Sequence, residues 1–540
     1  MRIAKWLIVF LVALGFAIPN APHIGFSSDA EAVELNLGGF PSYFRQRVRW
    51  LKNATFVNTL SQSQAESLGF GSNNDNAFWA DTTFRVTPQL VLSDSVTIRT
   101  QVDIFSNNLW GGLNSDLLGG GATLVNSAIS PQDRYRGALI TGPAATDDNG
   151  FLEIRMLHID MVLPNNLGFV RIGRQPFDWG IGILANGGWD PYSDLGFLID
   201  RFLWLKTFPT GSSSLTLVVV SDIITEGNSL ISGGGTGYDI GAAALIWNNP
   251  NISGINLTIG GYVFPYIHQN NFTFAGSAAL PGAGTLSAPP SGNAFAKVGD
   301  LERFTLYAGL IDLKTDTWRL VGELQGGWGE LEDFLGVSSV DISNQLLWAV
   351  RGEYYPSWPL KVVGAEFGWA DGDKGSTGLT EDIEGNVIVF NPAYNLDNLL
   401  FKHMVPNIYQ NAAGVLGRGD SSVQNAYYAR AYGTVKLMDH LSFTPQVLIA
   451  WNEETTSIIA PGQNIGSYLG TEVEGTLTWT VHPGVNFDLI GSVVFAGSGL
   501  EDMLEQQAEV LLGEDPSDSA ESTPFAIQGR LLVFIDQFFK

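Results

Sequence analysis

Along most of this chain apolar and polar residues alternate one by one. Arg45-Gln46-Arg47-Val48-Arg49-Trp50 shows it early, Thr97-Ile98-Arg99-Thr100-Gln101-Val102-Asp103-Ile104 repeats it, and Glu472-Val473-Glu474-Gly475-Thr476-Leu477-Thr478-Trp479-Thr480-Val481 is the cleanest case. A period of two marks a strand whose two faces meet different surroundings. Three arginines on one side of one strand are out of place on a soluble sheet and at home facing a wet lumen. The pattern predicts about eighteen such segments, each near the ~9–11 residues that a tilted membrane strand needs. They fall near 43–56, 76–87, 94–106, 151–163, 167–174, 197–207, 214–222, 238–248, 254–264, 303–313, 316–328, 344–356, 358–370, 424–437, 440–452, 469–481, 484–496 and 525–539.

The connections alternate between short and long. Leu163-Pro164-Asn165-Asn166-Leu167-Gly168, Lys314-Thr315-Asp316-Thr317, Pro356-Ser357-Trp358-Pro359, Met438-Asp439-His440 and His482-Pro483-Gly484 carry the Pro, Gly, Asn and Asp of tight turns. Residues 107–150, 265–302, 371–423 and 497–524 are long links, and 500–512 has the pattern of a short amphipathic helix, either lid or constriction. Short periplasmic turns facing long extracellular loops are the rule of outer-membrane barrels. The predicted fold is therefore an all-β, transmembrane, antiparallel up-and-down barrel of about 18 strands, in the outer membrane of a Gram-negative-type bacterium. The last strand, ending Phe538-Phe539-Lys540, resembles the signal read by the barrel-assembly machinery, with Lys540 one residue beyond the usual terminal aromatic.

The N-terminus changes the domain picture. Arg2 and Lys5 precede an apolar run over 6–18, and Ala30-Glu31-Ala32 fits a small-x-small cleavage site. Residues 1–32 are read as a cleaved signal peptide and 33–540 as a single barrel domain. The apolar run of about 13 residues is short for a membrane span of ~20. Too few residues precede the first strand for an N-terminal plug or a passenger domain, which predicts an open channel. Charged residues make up only 15% of the chain, against about 25% in soluble proteins. Low charge without long apolar runs is what half-lipid, half-water strands produce. With no Cys, the chain has no disulfide, thiolate metal site or haem attachment. A net charge of −26 argues against nucleic acid as a partner.

Two stretches resemble a known family. Phe169-Val170-Arg171-Ile172-Gly173-Arg174-Gln175-Pro176-Phe177-Asp178-Trp179-Gly180 resembles the Gly-Arg-Gln, Trp-Gly stretch of the alginate-export-type outer-membrane porins. Gly470-Thr471-Glu472-Val473-Glu474, the His482-Pro483-Gly484 turn and Phe487-Asp488-Leu489-Ile490-Gly491 resemble that family's penultimate hairpin, with Glu474 where Asp is usual. The resemblance implies an 18-stranded monomeric barrel with a basic lumen that passes an anionic polysaccharide.

Alternation also assigns the lumen face. Arg45, Arg47, Arg49, Arg85, Arg99, Arg155, Arg171, Arg174, Arg319, Arg351 and Arg430 are the predicted basic lining; Asp81, Asp103, Glu153, Glu323, Glu353, Glu366, Glu472, Glu474 and Asp488 are the acidic lining. An Arg facing lipid near the midplane costs roughly 2–4 kcal/mol. Opposite charges on facing walls make a transverse field that orients polar solutes; the same residues also suit an ion-pair network that only holds the barrel open. Trp50, Trp110, Trp179, Trp189, Trp247, Trp369, Trp451 and Trp479 are assigned to interfacial girdles, with Trp179 and Trp189 also suited to stacking on sugars.

No enzyme is expected. His158 and Asp160 share a strand face, but His268, His403, His440 and His482 fall in loops and turns, and no Gly-x-Ser-x-Gly elbow occurs. The acids of 497–524 and 371–423 lack a calcium-loop spacing, so no metal site and no cofactor is expected. The expected role is passive diffusion of small hydrophilic or anionic solutes, oligo- and polysaccharides included. The alternatives are a barrel sheath around a periplasmic partner, as in a porin–cytochrome electron conduit, and a surface adhesin or receptor. The expected partners are outer-membrane lipid, lipopolysaccharide, the assembly machinery and the solute. Oligomeric state is left open.

Overall fold

A computed structural model describes residues 34–36, 41–52, 76–109, 153–193, 196, 198–224, 234–239, 241–273, 299–334, 337–372, 388–391, 393–405, 423–457, 463–512 and 523–538. The signal-peptide assignment, Trp110 and most of the long extracellular links lie outside them. The described strands form one closed antiparallel ring. They are β1 (Tyr43–Lys52, preceded in line by Glu34–Asn36), β2 (Asn76–Val86, continued by Gln89–Ser93), β3 (Val96–Leu109), β4 (Glu153–Leu163), β5 (Gly168–Pro176), β6 (Leu198–Thr210), β7 (Ser213–Ile224), β8 (Ala242–Ile252, preceded by Gly234–Asp239) and β9 (Ile255–Thr273). The second half comprises β10 (Gly299–Lys314), β11 (Trp318–Phe334), β12 (Val337–Tyr354), β13 (Leu360–Ala370), β14 (Ala426–Met438), β15 (Leu441–Asn452), β16 (Tyr468–His482), β17 (Val485–Ala496) and β18 (Phe525–Phe534).

Each strand pairs with its neighbours in sequence, and β18 closes the ring on β1 in the register Tyr43↔Phe534, Arg47↔Arg530, Lys52↔Phe525. Pro88 has no N–H to give a ladder, and β2 breaks there before pairing resumes at Gln89↔Arg99. All eighteen segments expected from alternation are strands of the ring, and the expected short turns join them at one end.

The two faces separate as a membrane demands. Val48, Leu157, Ile172, Phe202, Leu245, Ile259, Leu324, Phe367, Val473, Leu489 and Ile527 point outward and are exposed. Arg47, Asp81, Asp103, Arg155, Glu323, Glu366, Glu472 and Asp488 point inward and are buried. On β11 the outward Trp318 and Trp328 are ten positions apart in the chain. With a rise of about 3.3 Å per residue and the usual tilt, that separation matches the apolar band of about 25 Å of outer-membrane barrels. Trp50, Trp369, Trp451 and Trp479 also face outward, and Tyr427 stacks on Trp451 at 5.3 Å. A closed barrel with an apolar outer belt, short turns at one end and long loops at the other is an outer-membrane barrel.

One part of the wall is taller than expected. Pairing of β11 with β12 continues past Trp328 through Glu330↔Asp341 and Glu332↔Ser339 to Phe334↔Val337. The expected segments stop at membrane thickness, but the ladder runs on into water through Gly326, Gly327 and Gly329, shifting register between Gly327 and Gly329. The helix expected at 500–512 is present as α1 (Ser498–Leu512). Its Leu500 and Met503, one turn apart, are buried in the apolar cluster, and its Asp502 accepts the Gly466 N–H at 2.6 Å.

The face assignment predicts that Leu489→Arg, which puts a guanidinium on the outward face of β17, destabilises the barrel by roughly 2–4 kcal/mol. Equilibrium unfolding in lipid vesicles measures it; a loss near zero would mean that Leu489 does not face lipid.

Candidate channel constriction

The inner wall is built first by cross-strand pairs. Arg47 lies directly opposite Asp81, Arg85 opposite Asp103, Arg171 opposite Asp160, Arg351 and Arg430 opposite Glu366, and Arg530 opposite Asp488. Opposite residues on one sheet face are close enough to bond directly. Arg85 binds Asp103 with Nε to Oδ1 at 2.7 Å and Nη2 to Oδ2 at 2.8 Å. Arg171 binds Asp160 in the same forked way, and Arg99 donates to that carboxylate at 2.9 Å. Arg319 is forked onto Asp312 at 3.0 and 2.8 Å. Forked Arg–carboxylate pairs fix both direction and distance, so the wall charges are held rather than free to swing.

Two segments cross the lumen, the second of them part of the 371–423 link, whose place alternation leaves open. Loop A runs from Phe177 at the end of β5 to Gly196 before β6. Its carbonyls Pro191 and Ser193 accept from Arg45 of β1 at 2.8 and 2.7 Å, while its Phe177 and Trp179 pack on Tyr262 of β9 at 5.4 and 5.3 Å. A segment that touches β1 and β9 at once spans the barrel. Loop B covers 388–405 and meets β11 through β17: Ile388 N–H donates to Gln345 at 2.9 Å, Tyr394 to Glu366 at 2.5 Å, and Asn398 Nδ2 to Ser492 at 3.0 Å. Ile183, Leu184, Phe390, Leu396, Leu399, Leu400 and Phe401 are buried between the loops and the wall. The loops are bonded to each other as well, Asn391 N–H to the Ile183 carbonyl at 2.8 Å and Asn186 Nδ2 to the Ala393 carbonyl at 3.3 Å.

A loop inside a barrel loses water and must find partners for its backbone. Wall side chains supply them. Glu323 of β11 accepts four successive N–H groups of loop A, those of Ile181, Gly182, Ile183 and Leu184. Glu472 of β16 accepts those of Asn398, Leu399 and Leu400 in loop B. Gln325 donates to the carbonyls of both loops, Ile183 and Val389, each at 3.2 Å.

The expected lining residues therefore divide. Arg47, Asp81, Arg85, Asp103, Arg155 and Asp488 are buried in the basic side of the wall, with Arg45 and Arg49 beside them. Glu323, Glu366 and Glu472 hold loops. Arg99, Arg171, Arg319 and Glu353 stay partly exposed toward the short-turn end, where Glu353 accepts from Tyr355 and Tyr432 at 2.6 Å each, and Glu474 lies level with loop B, opposite Gln446 and Ser492. Glu153 has only its backbone described, opposite Asp103. Arg174 is a correction: it is in register with outward Leu157 and bonds Asp200 at 2.9 and 2.8 Å on the outer face. Trp179 and Trp189 are corrections too. Trp179 is buried in the plug, and Trp189 donates to Asp178 at 2.5 Å inside loop A. Two inward arginines stand outside the expected lining: Arg201, which is forked onto Asp222 at 2.6 Å and lies over the Phe177 ring at 4.3 Å, and Arg530, which lies over Tyr192 at 4.2 Å. Alternation within β6 and β18 was signal enough to find both.

No family model matches the chain, and no curated protein matches it. Solved structures do. OccAB3 of Acinetobacter baumannii is 9% identical, covering 91% of this chain and 98% of its own, at a TM-score of 0.44. OccAB1 of the same organism is 10% identical over 94% and 97%, at 0.43. A BenF-like porin from Pseudomonas fluorescens Pf-5 is 9% identical over 94% and 100%, at 0.43. This chain is similar to them, and its assignment as an 18-stranded outer-membrane barrel rests on its own ring of strands.

Proposed function

We propose that this barrel is an outer-membrane channel for passive diffusion of small hydrophilic solutes, with anions guided along one wall. The observation that carries this reading is the split of inward charge. Among the described residues of β1–β5, β17 and β18, Arg45, Arg47, Arg49, Arg85, Arg99, Arg155, Arg171 and Arg530 face inward against Asp81, Asp103, Asp160 and Asp488. Across the barrel, on β10–β16, Asp312, Glu323, Glu353, Glu366, Glu472 and Glu474 face inward against Arg319, Arg351 and Arg430, with Lys314 and Lys436 at the turn end. Opposite balances on facing low-dielectric walls focus a field across the lumen. A dipolar or carboxylate-bearing solute lines up in that field, and an apolar one gains nothing to offset the water it must leave.

The plug bears on solute size. A polymer such as alginate, the cargo suggested by the family resemblance, requires both loops to move aside. A small solute requires a smaller displacement of them than a polymer does. A sheath around a periplasmic partner needs an empty lumen, which loops A and B occupy.

Loop B carries its own pH dependence. Asp397 accepts the Phe401 N–H at 2.7 Å. Burial pushes its carboxyl up to about 7; the Phe401 N–H works against that and the nearby Glu474 adds to it. An Asp in an unfolded chain titrates near ~3.9. The folded value lies above the unfolded one, so the stabilisation of loop B is fully present below ~4 and is lost as pH rises through about 7.

Two measurements follow from this. In planar bilayers under a salt gradient the purified protein conducts, and replacing Arg99 and Arg171 together by Gln moves the reversal potential toward cations, while Glu353→Gln moves it the other way. No conductance from folded protein sinks the channel reading. Hydrogen exchange of residues 396–405, corrected for intrinsic rate, is faster at about pH 8 than at about pH 5, and Asp397→Asn flattens the difference. Equal protection at both pH values removes Asp397 as the source.

A further inference from the structure

Loop A reaches the wall through an unusual backbone turn. Gly180 has φ 57° and Gly182 φ 98°, left-handed values that glycine adopts without strain. Left-handed residues interleaved with ordinary ones turn successive N–H groups toward one point, the arrangement that makes an anion-binding concavity. Here the N–H groups of Ile181, Gly182 and Ile183 converge on Glu323 Oε2 at 2.7, 3.0 and 3.3 Å, and that of Leu184 reaches Oε1 at 2.8 Å. Both oxygens are thus held, so the concavity fits a carboxylate and not merely a charge. Gly180 leaves the room it needs: a Cβ there would stand 2.3 Å from Oε2. Glu323 is 2% exposed and forms no ion pair among the described residues, so the loop backbone is what balances its charge. Every other buried acid of the ring's inner face that bonds Arg could hold its place without loop A; Glu323 and the loop depend on each other.

We propose that the backbone cradle 181–184 is a carboxylate-binding site whose resting occupant is the chain's own Glu323, and that a carboxylate-bearing solute which takes the cradle releases residues 181–184 of loop A from Glu323. The proposal rests on the channel reading for its second half only. Glu323 competes as a tethered carboxylate already in place, so a free carboxylate displaces it only at high concentration, and traffic opens the path only when solute is plentiful. Because Asn391 and Asn186 bond loop A to loop B, and Gln325 bonds both, movement of loop A loosens the whole plug.

Chemical rescue tests the site. Glu323→Ala empties the cradle and loosens residues 181–184 of loop A, so conductance rises several-fold and those residues exchange faster. Formate or acetate at millimolar concentration then slows that exchange and lowers the conductance toward the wild-type level, while chloride at equal ionic strength does neither. Gly180→Ala keeps Glu323 but fills the place of its Oε2 with a methyl group; it also opens the channel, and carboxylates do not restore it. The heat-shifted gel mobility of folded barrels confirms that each variant is assembled. If Glu323→Ala leaves exchange at 181–184 unchanged, or if added carboxylate does not slow it, the cradle is not a carboxylate site. The exchange readout does not depend on conductance, so a wild-type protein that conducts nothing would overturn the channel reading and leave the cradle to be judged separately.

Discussion

Inside a bilayer no water is present to take an unpaired backbone N–H or carbonyl, and each one left bare costs several kcal/mol. A sheet meets that constraint only by closing. Here β1 lies between β18 and β2 in continuous register, so the edge that any open sheet would show to lipid does not exist. Closure at eighteen strands has a consequence of its own. The ring is wider than its inward side chains can fill, and the space must hold either water or more chain. Loops A and B are that chain, and they bring the original problem inside with them, because their backbones have no ladder to join. Glu323, Gln325, Gln345 and Glu472 act as substitutes for a neighbouring strand. The outer constraint fixes the barrel, and its inner echo fixes the plug.

The wall charges answer to the same scarcity of water. A guanidinium buried without a partner is far costlier than one held by a carboxylate, and strand register offers partners at no extra cost in chain ordering. Arg47–Asp81, Arg85–Asp103, Arg201–Asp222 and Arg530–Asp488 are each direct cross-strand neighbours. Around Glu366, Arg351 and Arg430 arrive from the strands on either side, and Tyr394 and Tyr428 cover the other oxygen at 2.5 and 2.7 Å. Such a cluster specifies position more than it adds stability. Loop B reads that position through Tyr394, which is how a charge on β13 comes to place a segment in the middle of the lumen.

Much of the ring was legible because lipid and lumen impose opposite demands on successive residues, and a period of two survives every local irregularity except a shift in phase. Where phase shifts, legibility ends. The ladder between β3 and β4 slips between Gln101↔Met156 and Val102↔Ile154, so that Arg155 and Met156, adjacent in sequence, are both buried. Arg174 was misplaced for a related reason. Its neighbour Arg171 faces inward, the same alternation puts 174 outward, and the charge alone suggested otherwise. Loop A was illegible in a deeper way. Phe177, Trp179, Ile183 and Leu184 are spaced by glycines with no strand or helix period, and nothing local tells a lumen-filling apolar residue from an interfacial one. Trp179 reads as a girdle tryptophan until Tyr262 is found against it.

On the channel reading proposed above, the division between wall and plug also bears on how selectivity and opening relate. The charges that set the transverse field belong mostly to the strands, which lipid and ladder hold rigid. The groups that seat the plug are mostly hydrogen bonds between loop backbone and wall side chains, with Glu323 and Glu472 accepting the most. Those two carboxylates stand on the acidic wall, the side toward which a cationic end of a solute is drawn; a solute carboxylate reaches the cradle against that field, drawn by the N–H groups that converge on Glu323. A solute oriented by the field therefore brings its own polar groups alongside the contacts that keep the plug seated. Selection and passage are then not separate stations along the pore. They share one cross-section, and the same facing walls that sort a solute hold the loops it must get past.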